Sequence, residues 1–205
     1  MNENEYNPCI NIINEEQKMN EDCIYLLDII KEYKIIKDMK ILDIGCGNGF
    51  YVFGLADYVK SICGLEPSTN MINSAIKNQN YFNKNNIKFI KGSIEDNSLN
   101  DKYDIVIFSF SLHFTNDSYK SLVLSKKYLT QNGLLIIIEP TKTYISNKLT
   151  LSHKDFDEKK YNLKQTFLNK SRKDIHLFIT KHELLYYNYN INNFIVVVKN
   201  KKFLM

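Results

Sequence analysis

Arginine is almost absent from this chain. Arg172 is the only one among 27 basic residues, so nearly all the positive charge is lysine. Specific reading of base edges favours the arginine fork. A formal net charge of +4 also argues only weakly for nucleic acid, which becomes the less favoured partner. Cysteine is sparse and scattered: Cys9, Cys23, Cys46 and Cys63 form no C-x-x-C pair and no two sit at metal-ligand spacing. No metal centre or radical-enzyme cluster is expected, and the thiols should be reduced in a cytoplasmic compartment. No apolar run is long enough to span a membrane, and the acidic, Asn-rich start has no apolar signal core. What remains is ordinary for a soluble globular protein: 205 residues, 44% hydrophobic and 24% charged. That length suits one domain with a sizeable core.

Apolar runs and amphipathic stretches alternate. Residues 1 to 14 read as a loose polar arm, and Cys23, Leu26, Leu27 and Ile30 recur at helical spacing between Glu15 and Tyr33. Strands are expected at Lys40 to Ile44, "SICGLE", "IKFIKG", "YDIVIFSF" and "LLIIIE". Between them lie helices from Phe50 to Val59, from Ser68 or Thr69 onward, and from Asn116 or Asp117 to about Leu129, where "QNG" stops the last. Strands apolar throughout and alternating with helices imply a parallel sheet covered on both faces. The tail differs: "HELLYYNYN" and "NNFIVVVKN", joined by a short Asn-rich turn, read as an antiparallel hairpin.

The chemistry centres on "LDIGCGNG". Gly45, Gly47 and Gly49 follow the first strand at a spacing of two. Glycine lets backbone approach a ligand closely. The dinucleotide fingerprint G-x-G-x-x-G would place its third glycine at Phe50, so the match fails. Asp43, just before the glycines, would repel a pyrophosphate but attract an ammonium and a sulfonium. Glu66 ends the second strand, where an acid can accept hydrogen bonds from ribose hydroxyls.

Taken in order, "LDIGCGNG", "GLEPSTNMINSA", "KGSIED", "FSFSLHF" and "LTQNGLLIIIEP" resemble the class I S-adenosylmethionine-dependent methyltransferases of the small single-domain kind. The resemblance implies an α/β, Rossmann-like sheet of seven strands, parallel except for a C-terminal antiparallel β-hairpin, with helices on both faces. Residues 1–205 would form one domain: an N-terminal arm and helix (1–37), a cofactor-binding core (38–140), a lid or helical segment (141–181) and the hairpin (182–200). Gly45, Cys46, Gly47, Asn48 and Gly49 would pass beneath the methionine part, near Asp43. Glu66 would hold the ribose, with Pro67 and Met71 flanking the adenosine. The family often has an acid where this chain has Ser93, which leaves the Ser93 hydroxyl, the Ile94 backbone and the Glu95 carboxylate as candidates for adenine. Phe108 or Ser109 would lie under the cofactor.

Methyl transfer is an in-line displacement in which alignment supplies much of the rate. A base is needed only if the acceptor must lose a proton. His113 is the candidate, with Glu139, Tyr144 and His153 as further residues of note. Relatives that methylate base amines often carry a proline-rich turn after the fourth strand, and those that methylate pyrimidine carbon use a Pro-Cys pair. Neither is present, nor is the carboxylate cluster of the metal-dependent catechol type. A small-molecule acceptor is the favoured reading. The alternatives are an RNA- or tRNA-modifying enzyme working with a partner and a non-catalytic scaffold subunit of the same fold. Substrate would be read by residues 1 to 37 and by the aromatic and basic stretch holding Tyr144, His153, Phe156, Tyr161 and Phe167, which also suits a plain amphipathic lid.

Overall fold

A computed structural model describes residues 21–33, 36–96, 99–141, 158–189 and 193–200. Seven strands form one sheet: β1 (Lys40–Ile44), β2 (Ser61–Glu66), β3 (Ile87–Lys91), β4 (Tyr103–Ser109), β5 (Leu129–Pro140), β6 (Glu183–Tyr189) and β7 (Asn193–Lys199). Their spatial order is β3-β2-β1-β4-β5-β7-β6. β1 to β5 pair in parallel, and β7 inserts antiparallel between β5 and β6. The helices are α1 (Glu21–Tyr33), α2 (Phe50–Ala56), α3 (Thr69–Phe82), α4 (Ser118–Lys126) and α5 (Glu158–Ile179).

Period-two alternation along the strands divides the core in two. Ile41, Ile62, Ile105, Ile107 and Ile136 face α1 and α2, with Phe82 of α3 packed against them. Leu42, Ile44, Val106, Phe108 and Ile137 face Leu122 of α4 and Ile175 and Phe178 of α5. Both faces are thus covered, as continuous apolar strands require. On the first face the Tyr25 and Tyr186 hydroxyls lie 2.7 Å apart and the Asn188 amide donates to both, tying α1 to β6.

Two boundaries differ from the sequence reading. α2 ends at Ala56, with Asp57 as its cap, although Val59 is still buried. α4 ends at Lys126, and Leu129 already pairs with Tyr103. "QNG" therefore does not stop a helix; it is an irregularity inside β5. Asn132 takes φ +64, its N–H donates to the Asn200 carbonyl at 3.0 Å, and the β4–β5 register shifts after Tyr103. The helix start at Glu15 and the Asn-rich turn of the hairpin lie outside the described residues. Among those described, no helix is long and apolar enough to cross a membrane.

The chain reverses direction of travel between β1 and β4, which are neighbours. In an open α/β sheet the crevice at the carboxyl ends of such strands is where ligands bind.

Candidate functional site at the carboxyl edge of the sheet

The glycine turn leaves β1 at that crevice. Gly45, Gly47 and Gly49 adopt φ of +73°, +59° and +89°, a left-handed backbone that side chains resist. The N–H groups of Gly45 and Cys46 both donate to the Leu65 carbonyl, at 2.7 and 3.2 Å. Glu66, 8% exposed, clamps the turn to α3: Oε2 accepts from the Gly47 N–H at 2.9 Å and Oε1 from the Ser68 N–H at 2.8 Å. A residue the sequence reading missed completes the clamp. Asn78, fully buried on α3, donates from its amide to the Asn48 carbonyl at 3.1 Å. Its signal was available, because it continues the apolar stripe of Met71, Ile72 and Ala75 with a polar residue.

The three glycines do different work. A β-carbon on Gly45 would lie 2.5 Å from the Ser111 β-carbon, and one on Gly49 would meet the Phe53 and Phe89 rings at 2.6 and 2.9 Å. Both are packing constraints. At Gly47 only the Met71 methyl is close, at 3.2 Å, so this glycine leaves room for another molecule. The Cys46 side chain turns inward over Gly64, where a β-carbon would come within 2.6 Å of its sulfur. Burial pushes that thiol well up, so it stays protonated.

Asp43 is 1% exposed and its Oδ1 has no hydrogen-bond partner. Burial, and then the charge of Glu66, raise its carboxyl to about 7. Glu66 is also raised by burial, against the lowering effect of the two N–H donors it holds. Ser109 Oγ is a second buried atom without a partner. Asp43 pairs with Ile107, so Ser109, two residues further along β4, points to the same face. Two unsatisfied oxygens therefore flank the turn on adjacent strands. Buried polar groups left unpaired in this way are uncommon and call for a ligand. Phe108 points the other way, fully buried in the second core. Phe110 follows at φ +53°, a strained conformation for an aromatic residue, fixed by its N–H to the Ile138 carbonyl at 2.7 Å. That kink carries Ser111 to the turn, where its hydroxyl donates to the Ile44 carbonyl at 2.5 Å.

Pro67 is exposed at the mouth, and Met71 is buried against Gly47. Ser93 and Asp96 bond each other, the hydroxyl donating to Oδ2 at 2.6 Å. The Ile94 side chain sits in the second core. Glu95 is tied to a neighbouring element through one of its oxygens. Its Oε1 accepts from the Asn116 and Asp117 N–H groups at 3.0 and 3.3 Å and from the Ser121 hydroxyl at 3.1 Å, tying it to the start of α4.

On the other face, beyond β4, a short 3-10 turn at Leu112–Phe114 presents His113. Its Nδ1 lies 2.7 Å from Glu139 Oε2, and Glu139 Oε1 accepts from the Leu112 N–H at 3.1 Å. His113 is 6% exposed and Glu139 fully buried. The carboxylate thus holds the Nδ1 proton and leaves Nε2 as the basic atom. Tyr144, His153 and Phe156 lie outside the described residues.

Comparison with known proteins bears on this geometry. The methyltransferase domain family matches residues 35–190. The tRNA U34 carboxymethyltransferase of Campylobacter fetus is 32% identical over 110 residues, 53% of this chain and 39% of that protein. The ubiquinone biosynthesis O-methyltransferase of Rickettsia bellii is 27% identical over 122 residues, 58% of this chain and 50% of that protein. The chain spans half or less of the length of these curated relatives. A solved S-adenosylmethionine-dependent methyltransferase from Aquifex aeolicus shares the fold, with TM-score 0.65 at 19% identity over 84% of this chain and 88% of that one. The family match runs from before the glycine turn through β6 and takes in the clamp, the kink and the His113–Glu139 pair, and the chain accordingly belongs to the methyltransferase domain family, of the class I S-adenosylmethionine-dependent type.

Proposed function

We propose that the chain transfers a methyl group from S-adenosylmethionine to a small-molecule acceptor and releases S-adenosylhomocysteine. The observation that carries this reading is the unpartnered Oδ1 of the buried Asp43 beside the glycine turn. A desolvated acid with no cation beside it among the described residues suits a positively charged ligand end and opposes a pyrophosphate. Gly47 would allow that end to lie against the backbone. Glu66 spends one acceptor site of each oxygen on the clamp, and a carboxylate offers about four, so ribose hydroxyls can still be held. Ser109 Oγ would complete the floor, and the Ile94 backbone with the Ser93–Asp96 pair remains for adenine. The cofactor supplies an electrophilic methyl group on sulfur. His113 would take the proton that an O–H or N–H acceptor must lose, at Nε2, while Glu139 keeps the ring oriented. The O-methyltransferase relative supports such an acceptor. A tRNA acceptor is the second reading, favoured by the Campylobacter relative, and a steep loss of acceptor affinity with salt would select it.

Thermal denaturation tests the cofactor. At roughly 100 times its dissociation constant a ligand stabilises by about 2.7 kcal/mol, a rise of very roughly 5–10 °C for a chain of this size. S-adenosylmethionine or S-adenosylhomocysteine should produce it, NADH should not, and Asp43→Asn should shrink it. A shift with NADH and none with either methionine cofactor would overturn the proposal.

The pH dependence has two opposite signs. In the free protein Asp43 titrates at about 7, above its ordinary 3.8. The stability this group contributes is full below the ordinary value and is lost as pH rises through about 7. A bound cation favours the carboxylate, so cofactor affinity should be full above that pH and fall with acidification, by up to about tenfold per unit. Binding at pH 6 should therefore release a proton, seen in calorimetry as a heat that changes with buffer ionisation enthalpy. Equal heats in all buffers would remove Asp43 as the counter-ion.

A further inference from the structure

α5 reaches the carboxyl edge of the sheet beside the His113–Glu139 pair, and there it carries Arg172, the one arginine in the chain. Two contacts hold the guanidinium still. Nη2 donates to the carbonyl of Pro140 at 3.0 Å, the residue after Glu139. The guanidinium also lies over the Phe194 ring, its Cζ 5.3 Å from the centroid. Phe194 is the register partner of Glu139 on β7, so guanidinium, carboxylate and imidazole share one end of one face.

Arg172 is held in place but not neutralised. Its Nε is buried and has no acceptor. The hydroxyl of Ser171 beside it, fully buried, has no partner either. Both Glu139 oxygens are already occupied, by the Leu112 N–H and by His113. Among the described residues no carboxylate forms an ion pair with Arg172. A buried donor on a charged group is costly to leave unmade. Everywhere else this chain uses lysine for positive charge, a flexible point charge that cannot present a planar fork. The fork matches a carboxylate through two parallel hydrogen bonds.

Resting on the methyl-transfer reading, we infer that Arg172 is the acceptor's anchor and that the acceptor carries a carboxylate. That carboxylate docks on the Nε side of the guanidinium, and the nucleophilic heteroatom of the same molecule is presented to His113. No covalent change occurs at Arg172; it sets which acceptors bind.

The test titrates the full chain, saturated with S-adenosylhomocysteine, with benzoate and with benzamide, its uncharged isostere, by calorimetry. Benzoate should bind at least tenfold more tightly than benzamide. Arg172→Gln should cost benzoate at least tenfold and leave benzamide and S-adenosylhomocysteine affinities within twofold. Arg172→Lys keeps a cation near Phe194 without the fork; it should cost benzoate severalfold, and it carries the test if the glutamine variant fails to fold. Benzoate no tighter than benzamide, or unchanged in Arg172→Lys, would overturn the inference. Failure of S-adenosylhomocysteine to bind the unaltered chain would strike the methyl-transfer reading instead, and the two failures are separate measurements.

Discussion

Alanine at Gly45 should markedly lower the melting temperature, whereas valine at Gly47 should leave a folded protein that no longer binds its cofactor. At Gly45 the added β-carbon lies 2.5 Å from that of Ser111, at a φ of +73°. Ser111 cannot retreat easily. Its hydroxyl is bonded to the Ile44 carbonyl, and the preceding Phe110 is bonded to Ile138. Left-handed strain of about 1–2 kcal/mol adds to overpacking of about 1–3 kcal/mol. For a chain of this size the sum lowers the melting temperature by very roughly 5–20 °C. At Gly47 the single near neighbour is the far end of the flexible Met71 side chain. The fold loses only the backbone strain, while the new side chain fills the space proposed for the methionine end. Melting without ligand, paired with calorimetry of S-adenosylhomocysteine, separates the two. Equal losses of stability and binding in Gly47→Val would mean that this glycine, too, serves packing.

Removing the imidazole should lower turnover without loss of cofactor binding. His113→Asn is expected to lower kcat/KM by roughly 10²–10⁴, the usual contribution of a positioned base, with S-adenosylhomocysteine affinity unchanged. Glu139→Gln leaves the ring without its anionic partner and should also reduce the rate, as befits a positioning residue. A fully active His113→Asn, assayed on the first acceptor found with labelled cofactor, would show that the acceptor needs no base.

The strands were legible because each is a short apolar run closed by glycine, proline or polar residues; β1 and β2 match residue for residue. The glycine turn and Glu66 were legible because their spacing is local to one strand–loop–helix unit. Contacts made across the fold were not. Nothing near Glu95 in sequence indicates that it ties down the start of α4 some twenty residues later. Nothing near His113 points to Glu139 on the next strand. Local chemistry also misled at Gln131 to Gly133, where turn residues within an apolar context read as a helix end but form a kink in β5. The glycines were read as a set with one purpose, and only the positions of Ser111, Phe53 and Phe89 divide them.

The place of β7 between β5 and β6 has a consequence for synthesis on the ribosome. β5 is the most exposed to risk, because its partner on one side, β7, is made some sixty residues later, after α5 and β6. From the completion of Pro140 until Lys199 has emerged, the run Leu134 to Ile138 has a bare edge. At the usual pace of translation that interval lasts on the order of 3–12 s. An unpaired apolar edge is a template for pairing with other nascent chains. Ribosomes stalled within α5 or the hairpin should therefore release products that aggregate, even though strands β1 to β4 are already complete.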